Sequence, residues 1–503
     1  ISGIQLGHYS WFTSMDVDQG GNAWVGTVID GFYVIDMHNF SVTRTLDIPL
    51  LSGNTVRNGI QSIYCDRENN SVWIGLYNQG MCYYHPSMNK IVLYNKKMIN
   101  GDWKGEEIRC MLETSRGEIL MGTTQGVYRY EPETKSMNRF YHEFSQKNCR
   151  VLYEDSKKRV WVGTYHDGLY CIDHGKVQSY DYPDTDYQNE LDFSNIRVMV
   201  EDSSGRLWVS IYGGVGLFNP ENGQINLLSE QFPELKKYKV ANTLAIDNRS
   251  RLVVGSDNGL YIYDPATNKI WIPEEDGQAN SIFNQGSIKY NQILKDHEGT
   301  LWFATQYGLS VLTYNGQSYT LGKEEGLSKA ILNVVEDKNH DIWISTVTSI
   351  YKIKVDRRAD KYSFHVISCL SEDEIRQDDL YSFPSLMTRD NQLFLGLMNG
   401  FIAFSPENMI DNQCLNRPLF TSFRLFNVPV VSGEAYNGRV LFDKALSYSD
   451  EVQLKYDENY ITLEFSGLNF PNPSQTSFRY QLEGFDKEWT ETLFENGQGR
   501  VVY

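Results

Sequence analysis

One phrase recurs along this chain: an acidic residue, a Gly-containing turn, then Leu-Trp-Val-Gly-Thr, then Gly-Leu-Tyr. It reads VDQGGNAWVGT at 17–27, EDSKKRVWVGT at 154–164, EDSSGRLWVS at 201–210, KDHEGTLWFAT at 295–305 and EDKNHDIWIST at 336–346. Degenerate copies stand at 65–76, 113–123, 246–256 and 387–397. The nine copies are anchored at Trp24, Trp73, Leu120, Trp161, Trp208, Val253, Trp302, Trp343 and Phe394. Anchor spacing runs from 41 residues (Leu120 to Trp161) to 51 (Trp343 to Phe394). Several short strands repeated near that period are the signature of a β-propeller.

Residues 150–181 show one repeat in full. Val151 to Glu154 alternates as a short strand, and Asp155-Ser-Lys-Lys turns the chain. Val160 to Thr164, Leu169 to Ile172 and Lys176 to Tyr180 follow as three more strands, bounded by Asp and Gly turns. The Trp of the second strand is large enough to fill the space between neighbouring blades. Asp18, Asp66, Asp155, Asp202, Asp247, Asp296 and Asp337 share one repeat position, where a carboxylate accepts backbone N–H bonds in a tight turn. These turns account for much of the net charge of −18. That charge argues against a nucleic-acid binder, which needs a basic face.

Strand parity orders the loops. The first-to-second and third-to-fourth turns share one end of the propeller and are short and monotonous. The second-to-third turns and the links between blades share the other end. Its turns are VID (28–30), YNQ (77–79), TQ (124–125), YHD (165–167), YGGV (212–215), DN (257–258), QY (306–307) and MN (398–399). Its long links are 42–60, 97–108, 182–195, 228–241, 273–289 and 356–383. Variable loops on a rigid scaffold are where binding concentrates, so this end is the expected functional face.

Nine blades exceed the usual closed ring. Units three to nine, about 106–412, are expected to form a complete seven-bladed propeller. Units one and two, 1–105, read as the last two blades of a preceding propeller whose start is missing. The ninth unit lacks a fourth strand after Phe401-Ile-Ala-Phe-Ser-Pro, and Lys90-Ile-Val-Leu-Tyr94 could supply it and close the ring. A single ring of eight or nine blades is the alternative. Beyond the repeats, 413–503 alternates as an immunoglobulin-like β-sandwich, expected to continue past Tyr503. The chain starts at Ile1 without a leader and is expected to be a piece of a longer protein. It contains no apolar run of about 18 residues, so this piece is not expected to span a membrane.

The phrase D-x-x-G-x-LW-x-GT-x-x-GL-x-x-Y resembles the two-component regulator propeller repeat. LEFSGLNFPNPSQTSFRYQLEGFDKEW (463–489) resembles the Y_Y_Y domain that follows such propellers. Together they are similar to the periplasmic sensor region of hybrid two-component systems of gut Bacteroidetes. The resemblance implies two seven-bladed propellers, the sandwich, a transmembrane helix tethering the protein to the inner membrane, and a cytoplasmic histidine kinase with receiver and DNA-binding modules. It implies a sensor of oligosaccharide breakdown products of a complex glycan that switches on genes for glycan use. It supplies no invariant ligand motif.

The residues themselves point to a ligand. Eleven positions before the anchor, at the start of the innermost strand, stand Arg109, Arg150 and Arg197 in units three to five. Asn242 and Asn291 follow in units six and seven, and Leu332 in unit eight. Three consecutive arginines would form a basic arc at the mouth, suited to carboxylate or sulfate. The arc predicts an acidic oligosaccharide, with Trp103, Tyr165, His166, Asp167, Tyr212 and Tyr307 on the surrounding loops. The competing reading pairs each arginine with an acid such as Glu106 or Asp192.

No catalytic residue, metal site or cofactor is expected. The seven cysteines, Cys65, Cys82, Cys110, Cys149, Cys171, Cys369 and Cys414, lack CxxC spacing and read as buried small hydrophobes. His297 and His340 fall in the Asp turns at the quiet end. His166 beside Asp167 offers an acid and a base, but adjacent turn residues rarely converge on one reacting atom. A polysaccharide lyase or glycosidase, or a protein-interaction propeller, are the rival readings. A homodimer is the expected signalling assembly.

Overall fold

The computed structural model describes the chain except residues 1–10, 30, 46–58, 68–69, 79, 86–91, 183–190, 274–287, 328, 359–360, 371–383, 410–417, 450, 469–475 and 494–496. Cys414, most of the links 42–60, 182–195 and 273–289, and the second half of 356–383 lie outside the described residues. So do Asp30 and Gln79 of the variable turns. Two compact units are present, Lys90–Asn408 and Ile1–Asn89 with Met409–Tyr503.

Among the described residues the first unit holds seven sheets whose first three strands run inner to outer in sequence order and pair antiparallel. Their inner strands are Ile108–Glu113, Cys149–Glu154, Asp192–Glu201, Ala241–Ile246, Tyr290–Lys295, Asn333–Glu336 and Ser385–Met387. Each inner strand neighbours the next, and Ser385–Met387 returns to Ile108–Glu113, so the sheets form a closed seven-bladed ring. The last sheet borrows its outer strand from the start of the unit: Val92–Asn95 pairs antiparallel with Gly400–Phe404. Gly400 is required there, because a Cβ would sit 2.1 Å from the Tyr94 carbonyl oxygen.

The repeated phrase builds each blade through one carboxylate. Asp155 Oδ1 accepts the Lys157 and Arg159 amides at 3.0 and 2.9 Å, while Oδ2 accepts Trp161 Nε1 at 2.9 Å. The same indole–carboxylate bond joins Trp24 to Asp18, Trp208 to Asp202, Trp302 to Asp296 and Trp343 to Asp337, at 2.8–3.0 Å. The Trp rings are buried between sheets. Trp161 packs on Ile196, Met199, Val209 and Phe218 of the following blade. Parity alone assigns the Trp a packing role; its tie to the Asp six residues earlier is an additional constraint.

A second device links neighbouring blades. The residue after the turn Asp or Thr donates its amide to a Glu ending the next inner strand. Ser115 N donates to Glu154 Oε2 at 2.6 Å, Ser156 N to Glu201 Oε2 at 2.6 Å, and His297 N to Glu336 Oε2 at 2.9 Å. Arg389 N donates to Glu113 Oε2 at 2.8 Å, joining the last blade to the first.

The second unit contains two further blades and the sandwich. Phe12–Val17, Asn22–Thr27, Phe32–Asp36 and Val42–Thr45 form one sheet; Ile60–Asp66, Ser71–Leu76 and Met81–Tyr84 form the next. Trp24, Phe32, Ile60, Val72 and Ile74 share their core. In the sandwich, Leu419–Leu425 lies between Val428–Pro429 and Ile461–Ser466, and Gln498–Val502 completes the sheet. The hairpin Ser477–Tyr480 and Thr490–Leu493 packs against it through Phe465, Phe478 and Val501. Six described cysteines are buried and unbridged. No helix among the described residues is long and apolar enough to cross a membrane.

Candidate functional site

The five polar residues at the starts of inner strands share a backbone feature. The ladder between first and second strands skips one residue in each of their five blades: Ile108 pairs with Thr123 and Cys110 with Gly122, leaving Arg109 unpaired. The same slip leaves out Arg150, Arg197, Asn242 and Asn291. A β-bulge re-aims the extra side chain and is frequent beside functional sites. Here it repeats around the ring at the end where the second strand enters its variable turn, opposite the Asp turns.

The three arginines differ in their partners. Arg109 Nη2 pairs with Glu107 Oε2 at 2.9 Å. Arg197 Nη2 donates to Asn242 Oδ1 at 3.4 Å. Arg150 has no ion pair among the described residues, and its guanidinium lies over the Tyr165 ring, 4.4 Å from the centroid. All three Nε atoms are buried and without a hydrogen-bond acceptor. Burial first, then the charges of Arg197 and Arg109, push the Arg150 guanidinium down to about 10. Burial also lowers that of Arg197, with Asp257, Tyr165 and Tyr212 acting in the opposite sense. The arginines of the two flanking blades therefore both act on Arg150. An anion between them would relieve this repulsion and accept from donors already stripped of water.

The acids named as partners go elsewhere. Glu106 accepts the Lys104 amide at 2.8 Å and the Tyr128 hydroxyl at 3.3 Å. Asp192 is buried, accepts Ser194 Oγ at 2.5 Å and pairs with His166 Nδ1 at 2.9 Å. Arg109 thus pairs with an acid two residues away, Glu107, rather than with one of an adjacent blade, and Arg150 pairs with none among the described residues.

The asparagines act as ties between blades. Asn242 Nδ2 donates to Asp257 Oδ1 at 2.8 Å and to the Tyr290 carbonyl at 3.1 Å; Asn291 Nδ2 donates to the Ile331 carbonyl at 2.7 Å. Among the loop residues, Tyr165, Tyr212 and Tyr307 are 37%, 38% and 62% exposed. Asp167 pairs with Lys147 Nζ at 3.1 Å. His166 is held at φ 75° in its turn, with its ring centroid 3.9 Å from that of Tyr165. Its acid is Asp192 of the next blade rather than adjacent Asp167, a pairing across blades that sequence neighbourhood conceals.

Trp103 must be withdrawn from the site. It is fully buried among Ile108, Met121, Tyr128 and Met137, with Nε1 donating to the Glu106 carbonyl at 3.2 Å. The cause is a short strand, Asn100–Gly101, which adds in parallel to the outer edge of the first blade and draws the link inward. A separate cavity of about 310 Å³ lies away from the mouth, lined by Arg116, Glu118, Arg129, Tyr141 and Glu154.

No family model matches this sequence. Among curated proteins it is 20% identical over 422 residues to "Histidine kinase P4" of Formosa agariphila, covering 79% of this chain and 30% of that protein. Among solved structures, it is similar to the extracellular domain of the "putative hybrid two component system BT3049" from B. thetaiotaomicron. That match has TM-score 0.71 and 20% identity and covers 98% of this chain and 63% of that one. The extracellular domain of the "putative one component system BT4673" from the same organism matches with TM-score 0.50 and 21% identity, over 99% of this chain and 64% of that one. The chain thus spans less than two thirds of each of these relatives. In fold, this chain, with its propeller blades followed by a β-sandwich, is similar to these extracellular domains from B. thetaiotaomicron.

Proposed function

We propose that this chain is the extracytoplasmic, periplasmic sensing region of a two-component histidine kinase, and that it binds an acidic oligosaccharide released from a complex glycan. The observation that carries the ligand reading is the arc of Arg109, Arg150 and Arg197, each placed at a bulge, each with a buried Nε lacking an acceptor. A carboxylate or sulfate fits planar guanidinium forks, while Tyr165, Tyr212 and Tyr307 offer ring faces to sugar. In the full-length protein, the two extra blades would end a preceding propeller. The sandwich would relay the bound state through an inner-membrane helix, across a homodimer, to a kinase controlling glycan-utilisation genes. The fold similarity to extracellular domains of two-component systems supports this placement.

One observation favours a second reading. His166 Nδ1 on buried Asp192 is the orientation a general base requires, and it stands at the same mouth. Incubation with defined acidic oligosaccharides separates the two. Saturable binding without products supports the sensor; cleavage that His166→Ala abolishes supports an enzyme. Absence of glycan binding would sink both and favour a protein partner.

A further inference from the structure

At the end opposite the mouth, two histidines meet one carboxylate. Glu336 Oε1 contacts Nδ1 of His297 and, at 3.1 Å, Nδ1 of His340. The imidazoles stack with centroids 3.5 Å apart and planes 21° from parallel. One donor atom from each of the three residues lies within 4.8 Å of the other two. His297 belongs to the blade built on Tyr290–Lys295, and Glu336 and His340 to the next, built on Asn333–Glu336.

The internal repeats supply the comparison. In two of the sister turns, the position of His297 is Ser115 or Ser156, whose hydroxyl donates to the equivalent Glu. At the position of His340 the sister turns carry Gly21, Gly117, Gly205 and Gly299 or, also at positive φ, Asn70, Lys158, Ser250 and Asn391. His340 holds φ 64° there, the same left-handed conformation that Lys158 holds at 66° and Ser250 at 59°. This turn pair carries an imidazole at each of the two positions, which no sister turn has, and both are aimed at the same oxygen. In sequence each of these histidines is an ordinary turn residue, and only the fold brings them together.

We propose that His297, Glu336 and His340 bind a divalent first-row transition metal ion, with Zn2+ the natural fit to two imidazoles and a carboxylate. Donors on a tetrahedral zinc lie about 3.3 Å apart, so a small closure of the present cluster completes three ligands and leaves a fourth position to water. Arg357 is the adverse charge, with Nη2 4.0 Å from Glu336 Oε1. It is already engaged by Asp296 Oδ2 at 3.3 Å, Glu298 Oε2 at 3.5 Å and the His340 carbonyl at 3.0 Å. The bound ion ties two adjacent blades where the mouth cannot reach.

The test is titration of the whole chain with Zn2+ by calorimetry and with Co2+ by visible absorption. The expected result is one ion per chain, a Co2+ d–d band of low-coordinate type, and a Tm raised by Zn2+ but not by Mg2+. His297→Ser and His340→Gly restore residues the sister turns use, so both are expected to fold. Each should weaken Zn2+ binding by at least about tenfold and abolish the Tm rise. Undiminished binding in both variants, or no binding by the parent chain, overturns the proposal.

Discussion

The Arg150 guanidinium stacks on Tyr165 at 4.4 Å and has no ion pair among the described residues, although Arg109 and Arg197 act on it from either side. A charge held this way costs stability in the unliganded protein and is retained where a ligand completes it. The ring beneath it gives partial compensation.

Arg150→Met should therefore separate stability from binding. Thermal unfolding should show a gain of about 1 kcal/mol, since an unpaired, largely dehydrated charge is replaced by a side chain of similar length. Affinity for an acidic oligosaccharide should fall about 10- to 100-fold, the scale of one lost charge-assisted hydrogen bond. A loss of both stability and affinity would mean that Arg150 is a packing residue.

Asp202 predicts acid sensitivity. Burial favours its neutral form, but the Trp208 indole and the Arg206 and Ser204 amides outweigh burial and hold the carboxyl below its usual 3.8. A lowered folded-state pKa means stability that is present above the unfolded value and lost as pH falls through the folded one. Asp202→Asn should cost about 1–3 kcal/mol at neutral pH and progressively less below pH 3.8. Urea unfolding across that range checks it; a penalty that grows on acidification would contradict the assignment.

Ring closure predicts a glycine requirement. Gly400→Ala would press a methyl onto the Tyr94 carbonyl and disturb the pairing of Val92–Asn95 with Gly400–Phe404. A loss of about 1–3 kcal/mol is expected, with faster proteolysis in the last blade. Gly322→Ala, where a Cβ meets nothing within 4 Å, is the control and should be near neutral.

Much of the architecture was legible because a few residues carry it. The Asp–Trp pairs set the blades, strand parity separated the two ends, and Lys90–Tyr94 stood out as an alternating segment near the closing strand. Eleven residues before the anchors of units three to seven lies the bulged position, though nothing in the alternation reveals a bulge. What escaped is what crosses blades. His166 finds Asp192, Ser115 finds Glu154, and His297 finds Glu336 39 residues away, because adjacency in the ring is unrelated to adjacency in sequence. Trp103 escaped for a different reason: its link is captured by a parallel edge strand too short to carry a pattern.

The central claim is that the arginine arc takes an anionic sugar. Titration calorimetry with sulfated and uronic-acid oligosaccharides, at low and high salt, compares the parent chain with a variant carrying Arg109→Gln, Arg150→Gln and Arg197→Gln. The account predicts saturable binding that weakens with salt in the parent and is lost in the variant, with both proteins folded. Equal affinity and equal salt dependence in the two proteins would contradict it.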